Sequence, residues 1–488
     1  MSAELALVEK LAEARVLVLG DVMLDRYVYG EVERMSPEAP VPVLRHQEQR
    51  AMPGGAGNVA RNVAALGARA LLIGLVGDDA GGRELAAMLG EEPGVEARLI
   101  IDPGRRTTVK TRFIAGRQQL LRVDDETPIH AARETAASLL SALQAALPFA
   151  DIVLFSDYAK GVLSDDVLAR AIAVVHGAGK RLIADPKSRD FSRYAGADLL
   201  TPNRQELATA TGESGNDDES IAAAARRAMA AGRIGAILTT RGERGMTLVA
   251  GAEPALHIAA EGREIFDVSG AGDTVIATLA AALAVGAGLP QAARLANAAA
   301  GIAVGKLGTA VVHPADLLGA LQARDVLASE AKVVSLDTAL ERIQRWRGAG
   351  DLIAFTNGCF DLIHPGHVSL LAQAKAAGDR LVVGLNSDAS VGRLKGPGRP
   401  VQNETARGIV LASLGAVDLV ILFEEDTPLE LIRAIRPEIL VKGADYRVDQ
   451  VVGADLVQGY GGRVLLADLL SGHSTTGTIS RATGGRRA

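Results

Sequence analysis

Aromatic residues make up only 3% of the 488-residue chain, with a single tryptophan, Trp346. Stacking platforms for single-stranded nucleic acid need rings, so that class of function is disfavoured. A basic excess is also missing: 52 Lys and Arg against 58 Asp and Glu leave a net charge of −6, the wrong sign for a phosphate-backbone binder. No nucleic-acid partner is expected. Cysteine is nearly absent, and Cys359 alone cannot form an intrachain disulfide, which suits a reducing cytoplasm. The N-terminal stretch sets Glu4, Glu9 and Glu13 among its leucines, so it lacks the apolar core of a secretory signal. Only Thr274 to Ala293 is uncharged over a span-like length. Glycines and Pro290 interrupt it, and it directly follows a polar turn, so no membrane partner is expected either.

What the chain does have is length, with 48% hydrophobic residues. That exceeds what one core usually supports and predicts two domains, placed at 1–329 and 330–488. Short apolar runs that stop at polar residues, with helical patterns between them, predict a largely parallel α/β sheet in the first part. Val16 to Leu19 ends at Gly20-Asp21, with Asp25 nearby; Ile152 to Phe155 ends at Ser156-Asp157-Tyr158-Ala159-Lys160; Leu182 to Ala184 ends at Asp185-Pro186-Lys187. Ligands of open α/β sheets sit beyond such strand ends. Asp21 and Asp25 are therefore candidate binders of polyol hydroxyls, and an ordinary pair of loop acids is the alternative. Gly54, Gly55 and Asn58, at the start of a helical pattern, offer close backbone approach and an amide to a sugar. Residues 105 to 122 carry Arg105, Arg106, Lys110, Arg112, Arg117 and Arg122 in a loosely alternating stretch, which reads as a small β lid over an anionic substrate.

The first part is organised around Gly270-Ala271-Gly272-Asp273, ahead of an alanine-rich helical run. Small residues at a helix start let backbone N–H groups converge on an anion. A carboxylate directly behind such a seat would be repelled by a resting phosphate unless it served as the base for a hydroxyl attacking that phosphate, so Asp273 is the candidate base. Asn203, Arg204, Gln205 and Glu206, with Thr240, Arg241, Gly242 and Gly245, form two further polar turns, and Glu206 is placed to hold Mg2+ through water.

In the second part, strand-like Leu352 to Phe355 leads into Thr356, Asn357, Gly358, Cys359, Phe360 and Asp361, then His364-Pro365-Gly366-His367 at a helix start. Two imidazoles three residues apart fall on one side of that helix and point together. With no third ligand at plausible spacing they suit triphosphate binding better than zinc. Lys395, Arg399, Lys442, Ser474, Thr475 and Thr476 follow as candidate nucleotide contacts, and Asp337 as the cap of a helix through Trp346.

The order of motifs over residues 15 to 320 resembles the ribokinase-like sugar kinases. That resemblance implies Asp273 as catalytic base, Gly270 to Gly272 as anion hole, and Asn203 with Glu206 as the element organising magnesium. Residues 335 to 482, through Asn357-Gly358-x-Phe360-Asp361 and His364-Pro365-Gly366-His367, resemble the cytidylyltransferase-like nucleotidyltransferases, in which the histidines contact nucleotide phosphates. The fold implied is a ribokinase-like, mostly parallel α/β sheet with a small β lid, plus a second Rossmann-like α/β domain. The pairing is similar to the family of bifunctional heptose 7-phosphate kinases and heptose 1-phosphate adenylyltransferases. It implies ATP as substrate in both domains, Mg2+, sugar phosphates as small-molecule partners and ADP-heptose for lipopolysaccharide core synthesis. A cytoplasmic homo-oligomer, dimeric through the kinase domain, is expected on the same ground. Asp21, Asp25, Gly54, Gly55, Asn58 and Asp185 would then line the sugar site, and Lys160, Lys187 and the lid arginines would meet the 7-phosphate. A kinase for another sugar phosphate fused to a cytidylyltransferase is the alternative.

Overall fold

The structure is a computed structural model and describes residues 3–116, 118–127, 129–261, 268–306, 310–444 and 446–468. Arg117, Asp267, Ser474, Thr475 and Thr476 lie outside the described residues. The chain divides into two compact units between Leu321 and Gln322, inside helix Pro314–Glu330 and eight residues before the expected boundary.

Unit 1 is built on a nine-stranded sheet. Strand Arg15–Gly20 lies inside it, paired in parallel with Ile152–Ser156 on one side and Arg69–Val76 on the other. Ladders continue outward through Arg181–Asp185, Leu199–Leu200 and Ala236–Thr240, and only the edge hairpin Met246–Ala250 and Leu256–Ile258 runs antiparallel. Because strands on either side of Arg15–Gly20 are reached in opposite directions along the chain, loops part at its carboxyl end and leave a crevice there. Both faces are covered, which explains why the strands read as unbroken apolar runs rather than alternating ones.

The alanine-rich stretch that passes for a membrane span is two helices, Ala271–Ala284 and Leu289–Val304, with nearly every side chain of the first buried in the core. Small side chains on all faces let such a helix pack closely inside a protein rather than in lipid. Among the described residues no helix is long and apolar enough to cross a membrane.

A second sheet of four strands carries the lid, and it is larger than the sequence suggests. Val109–Ala115 falls within the predicted segment and Gln118–Asp125 runs three residues past it, but they are joined by two 14-residue strands, Val22–Met35 and Pro42–Gly55. Asp25 is thus a lid residue in register with Met52 and Lys110, not the end of the first core strand. The outer halves of both long strands are exposed and rich in charge, which hid their strand character.

Unit 2 contains a six-stranded parallel sheet ordered Val333–Val334, Leu419–Phe423, Arg380–Asn386, Ile353–Gly358, Ile439–Gly443 and Arg463–Ala467. Helix Leu336–Gly348 is capped by Ser335, whose hydroxyl accepts the Thr338 N–H, rather than by Asp337. Arg407 is fully buried in this unit. Its three nitrogens donate to Gln402 O (3.1 Å), Cys359 O (2.6 Å) and Asp388 Oδ1 (2.7 Å). Arg407→Ala leaves those acceptors unmatched and is expected to destabilise the unit by about 3 kcal/mol. Since Trp346 is the only tryptophan and packs against this core, its fluorescence during urea unfolding reads that loss directly.

Candidate active sites

In unit 1 some of the predicted groups lie together beyond the carboxyl ends of the central strands: Asp273 bonds Asn58, with Asp25, Lys110 and Asp185 close enough to influence its charge. Helix Ala271–Ala284 starts after Gly270, which takes φ 77° as its N-cap, a backbone shape that needs no β-carbon. A methyl added at Gly272 would meet no atom of the described residues within 4 Å outside its own helix, so packing among them does not demand its smallness. Asp273, in the first turn, is 5% exposed. Its Oδ2 accepts from Asn58 Nδ2 at 2.6 Å and its Oδ1 from Tyr158 Oη at 2.5 Å. Loss of water raises its carboxyl to about 6, against the two donors that favour the charged form.

Asn58 therefore faces the carboxylate rather than standing free for a sugar. Its backbone oxygen is held by Asn62 Nδ2 (2.9 Å), and Thr274 Oγ1 donates to Asn62 Oδ1 (2.8 Å), so two helices are tied together at the site. Asp25 accepts from Arg112 Nη1 at 2.5 Å, and a methyl at Gly54 would come within 2.1 Å of Asp25 Oδ2, so that glycine makes room for the carboxylate. Gly55 takes φ 57° at the turn from strand to helix.

Asp21 corrects the expectation of a sugar contact. It is 1% exposed, and its oxygens accept the backbone N–H groups of Tyr158 (2.9 Å), Lys160 (3.0 Å) and Val162 (3.1 Å). It shapes the loop after strand Ile152–Ser156. Arg105 likewise leaves the lid: it is buried and donates to the carbonyls of Lys160 and Ile129, both at 2.7 Å. Lys110 and Arg112 do face inward, Lys110 with its ammonium 6.0 Å from the Tyr158 ring, while Lys160 Nζ donates to Glu126 Oε1 at 2.7 Å.

Asp185 ends strand Arg181–Asp185 and accepts from Thr201 Oγ1 at 3.1 Å; desolvation, then Glu206 and Asp273, push its carboxyl well above the usual range. Lys187 lies beside Glu206, Nζ to Oε1 2.7 Å, which sets it on the Glu206 side of the crevice and away from the lid. Glu206 and Asn203 form a reciprocal cap, each side chain accepting the other's backbone N–H at 2.9 Å. Arg204 and Gln205 are exposed in that helix's first turn. Arg241 is engaged by Asp218 and by the Arg244 carbonyl instead of pointing at a phosphate.

A cavity of about 300 Å3 opens beside the glycine turn. Thr240, Gly242, Gly245, Ala271 and Gly272 line it, joined by Met246, Val275, Asn297, Ala300 and Val304. Its mostly apolar wall suits a flat heterocycle whose phosphates reach the helix start. Asn297 went unread in the sequence, although an amide in the apolar run from Leu295 to Val304 is a visible signal; its Nδ2 donates to Ala259 O at 2.9 Å.

In unit 2 the two histidines converge as the spacing predicts. His364 is the N-cap of helix Pro365–Ala377, and its ring stacks on that of His367 at 3.8 Å. Burial, then the neighbouring His364, lower His367 to about 4, so its imidazole is neutral near pH 7. Phe360, at φ 42°, packs its ring 5.1 Å from His367. Gly358 makes room for this ring, which a methyl there would meet at 3.0 Å. Thr356 Oγ1 and Asn357 Oδ1 are buried with no hydrogen-bond partner among the described residues, and Lys442 Nζ donates to Asn357 O at 3.1 Å. Arg399 is bound to the buried Asp361, which also accepts the Val401 N–H at 2.7 Å, so it fixes the loop rather than standing free; Lys395 is exposed. No group of three metal-ligating side chains occurs among the described residues.

Residues 13–316 match the pfkB family of carbohydrate kinases and residues 355–467 the cytidylyltransferase-like family. Phosphofructokinase-2 from Escherichia coli in complex with potassium superposes with TM-score 0.56 at 22% identity, covering 64% of this chain and 99% of that one. Ribokinase from Arabidopsis thaliana complexed with ribose and ATP gives 0.51 at 22% identity, covering 63% and 99%. Both show the ribokinase-like fold of unit 1. Along nearly the whole chain, the bifunctional protein HldE of Paramagnetospirillum magneticum is 54% identical over 99% of both chains, and that of Caulobacter sp. strain K31 is 59% identical over 96% of both. A kinase and a nucleotidyltransferase-like half make this a bifunctional transferase. The chain belongs to the pfkB carbohydrate kinases through its first unit and, over its full length, to the family of bifunctional HldE proteins.

Proposed function

We propose that the kinase, residues 1–329, moves the γ-phosphate of ATP to O1 of D-glycero-D-manno-heptose 7-phosphate. The nucleotidyltransferase, residues 330–488, then joins AMP from ATP to heptose 1-phosphate, giving ADP-heptose and pyrophosphate for lipopolysaccharide core synthesis. The single observation that carries the first step is a desolvated carboxylate, Asp273, held by two donors in the first turn of helix Ala271–Ala284. Asp273 takes the proton of the sugar hydroxyl as its oxygen attacks the γ-phosphorus, and the first turn of helix Ala271–Ala284 receives the developing charge. Asp25 and Arg112, side by side on the lid, orient the sugar, and Lys110 lies near enough for its phosphate.

The mutual repulsion of Asp185, Glu206 and Asp273 is an excess of negative charge that a divalent cation relieves, so Mg2+ fits here. Asp185 and Glu206 would hold it through water, and it neutralises the ATP phosphates when bound. In the second domain the attacking group is a phosphate, already ionised near neutral pH. His364 and His367 serve the α-phosphate by donating N–H groups at a helix start, with Lys442, Thr356 and Asn357 beside them. Consumption of ATP in both steps supports a cytoplasmic enzyme, and the expected dimer through the kinase domain is read by light scattering.

Mass spectrometry of products from heptose 7-phosphate, ATP and an added sugar-phosphate phosphatase tests the proposal. ADP-heptose is expected; a CTP-dependent product with another acceptor overturns it. Since Asp273 must be ionised to act as base, kinase kcat/KM is expected to fall as pH drops through about 6, the value to which burial lifts that group. A flat profile there contradicts the assignment.

A further inference from the structure

The phenol on Asp273 was not anticipated from the sequence, and the way it is held points to a role. Tyr158 sits in the loop after strand Ile152–Ser156, and this loop is fixed at every turn. The Tyr158 backbone N–H donates to Asp21 Oδ2 at 2.9 Å, with Lys160 and Val162 bound to the same carboxylate. Asp157 Oδ1 accepts the Ala159 N–H (2.8 Å), and Asp157 Oδ2 accepts the Tyr194 hydroxyl at 2.5 Å. Ala159 itself is driven to φ 56°, a conformation costly for a residue with a β-carbon. Two buried acids and a second tyrosine thus fix one side chain, whose hydroxyl donates to Asp273 Oδ1 at 2.5 Å.

Donation by a phenol stabilises an ionised carboxylate and leaves a protonated one with a hydroxyl in competition for the same oxygen. The other charged groups facing Asp273 are Asp25 and Lys110 on the lid and Asp185 at the end of its strand; the two acids oppose ionisation and the lysine favours it. Among the described residues, Asn58 supplies the other hydrogen bond to that carboxylate. Tyr158 stays protonated because burial, then Asp273, raise its own titration well above the ordinary phenol range. It is a donor at every working pH.

From this geometry we infer that Tyr158 is a positioning residue of the kinase step, keeping the Asp273 carboxylate ionised and in one rotamer through the hydrogen bond from its phenol. This rests on the reading of Asp273 as the base. The sequence pattern after strand Ile152–Ser156 then has a purpose beyond turning the chain: it delivers the donor that lets a dry carboxylate accept a proton at neutral pH.

The test is the pH profile of kinase kcat/KM in the full-length protein, measured from about pH 5 to about pH 9. For Tyr158→Phe the acid limb is expected to move up by about one pH unit, the loss of one hydrogen bond to a charged group. Its rate then recovers toward wild type in alkaline buffer. Replacing Tyr158 by 3-fluorotyrosine, which is nearly isosteric and a stronger donor, is expected to move the limb down and guards against a folding defect in the phenylalanine variant. A rate lowered by the same factor at every pH, or a limb that does not move with fluorination, overturns the inference. Asp273→Asn, assayed in parallel, separates the two ideas: if it keeps the wild-type rate, the base assignment fails, whatever the Tyr158 variants do.

Discussion

Asp273→Asn lowers phosphoryl transfer to the sugar by about a thousand-fold, within the range that a positioned general base contributes, and leaves nucleotidyl transfer by the same preparation unchanged. The expectation is sharp because the substitution keeps the shape of the site. The introduced amide meets Asn58, whose Oδ1 has no hydrogen-bond partner in the described structure, so Asn58 can turn its own amide and accept from it. Tyr158 can still donate to the remaining oxygen. What is lost is the lone pair with proton affinity, and hence kcat, whereas the KM for ATP is expected to stay unchanged because the lining of the apolar cavity beside the turn is untouched. Steady-state kinetics with ATP and the sugar phosphate varied in turn measure this; a loss confined to KM would mean that Asp273 only binds substrate.

His367→Ala is the mirror case. Nucleotidyl transfer is expected to fall by about a hundred-fold or more, the cost of removing one preorganised donor to a developing oxyanion, with the kinase reaction intact. The stacked arrangement makes the argument specific. Two imidazoles at 3.8 Å inside a partly buried turn cannot both carry charge, and His367 is held down to about 4. It is therefore expected to serve as a neutral N–H donor at the start of a helix, not as a cation. His367→Gln, which retains an N–H donor, is expected to preserve more of the rate than alanine. If alanine and glutamine are equally impaired, donation is not the source of the effect. Falling pH should also weaken nucleotidyl transfer only under strongly acidic conditions, because the His367 ring protonates so low.

Much of this was legible in the order of residues. The parallel sheets follow from short apolar runs that stop at glycine or acid, since a strand covered on both faces must be apolar along its length and can turn polar only where it leaves the sheet. Gly270 to Asp273 and His364 to His367 could be read as sites because a helix N-terminus is local: the same few residues that make it also expose its N–H groups. Two features went unread for the opposite reason. The lid strands Val22–Met35 and Pro42–Gly55 carry polar side chains on exposed outer halves, so alternation gave no signal. Tyr158 reaches Asp273 across 115 positions of chain, and nothing local to either residue records that meeting.

The reassigned residues teach the same lesson about charge. Asp21, Arg105, Arg241 and Arg399 each resembled a ligand contact because each is a charged side chain in a motif. In the folded protein each is satisfied by the protein itself, since burying a charge without partners costs far more than its packing returns. Asp25, Lys110 and Arg112 kept their place in the crevice because the lid presents them inward.

By itself, the sequence determined that there are two phosphate-handling turns on two α/β units, because those turns are made by neighbours in the chain and their chemistry is intrinsic to glycine, helix start, carboxylate and imidazole. The tertiary structure alone decided which charges face a substrate and which hold the scaffold, and it set the proton affinity of Asp273 and His367. For Asp273 that depends on neighbours as far as 215 positions away in the chain, and solvent exclusion is a fact of the folded surface, not of any stretch of the chain.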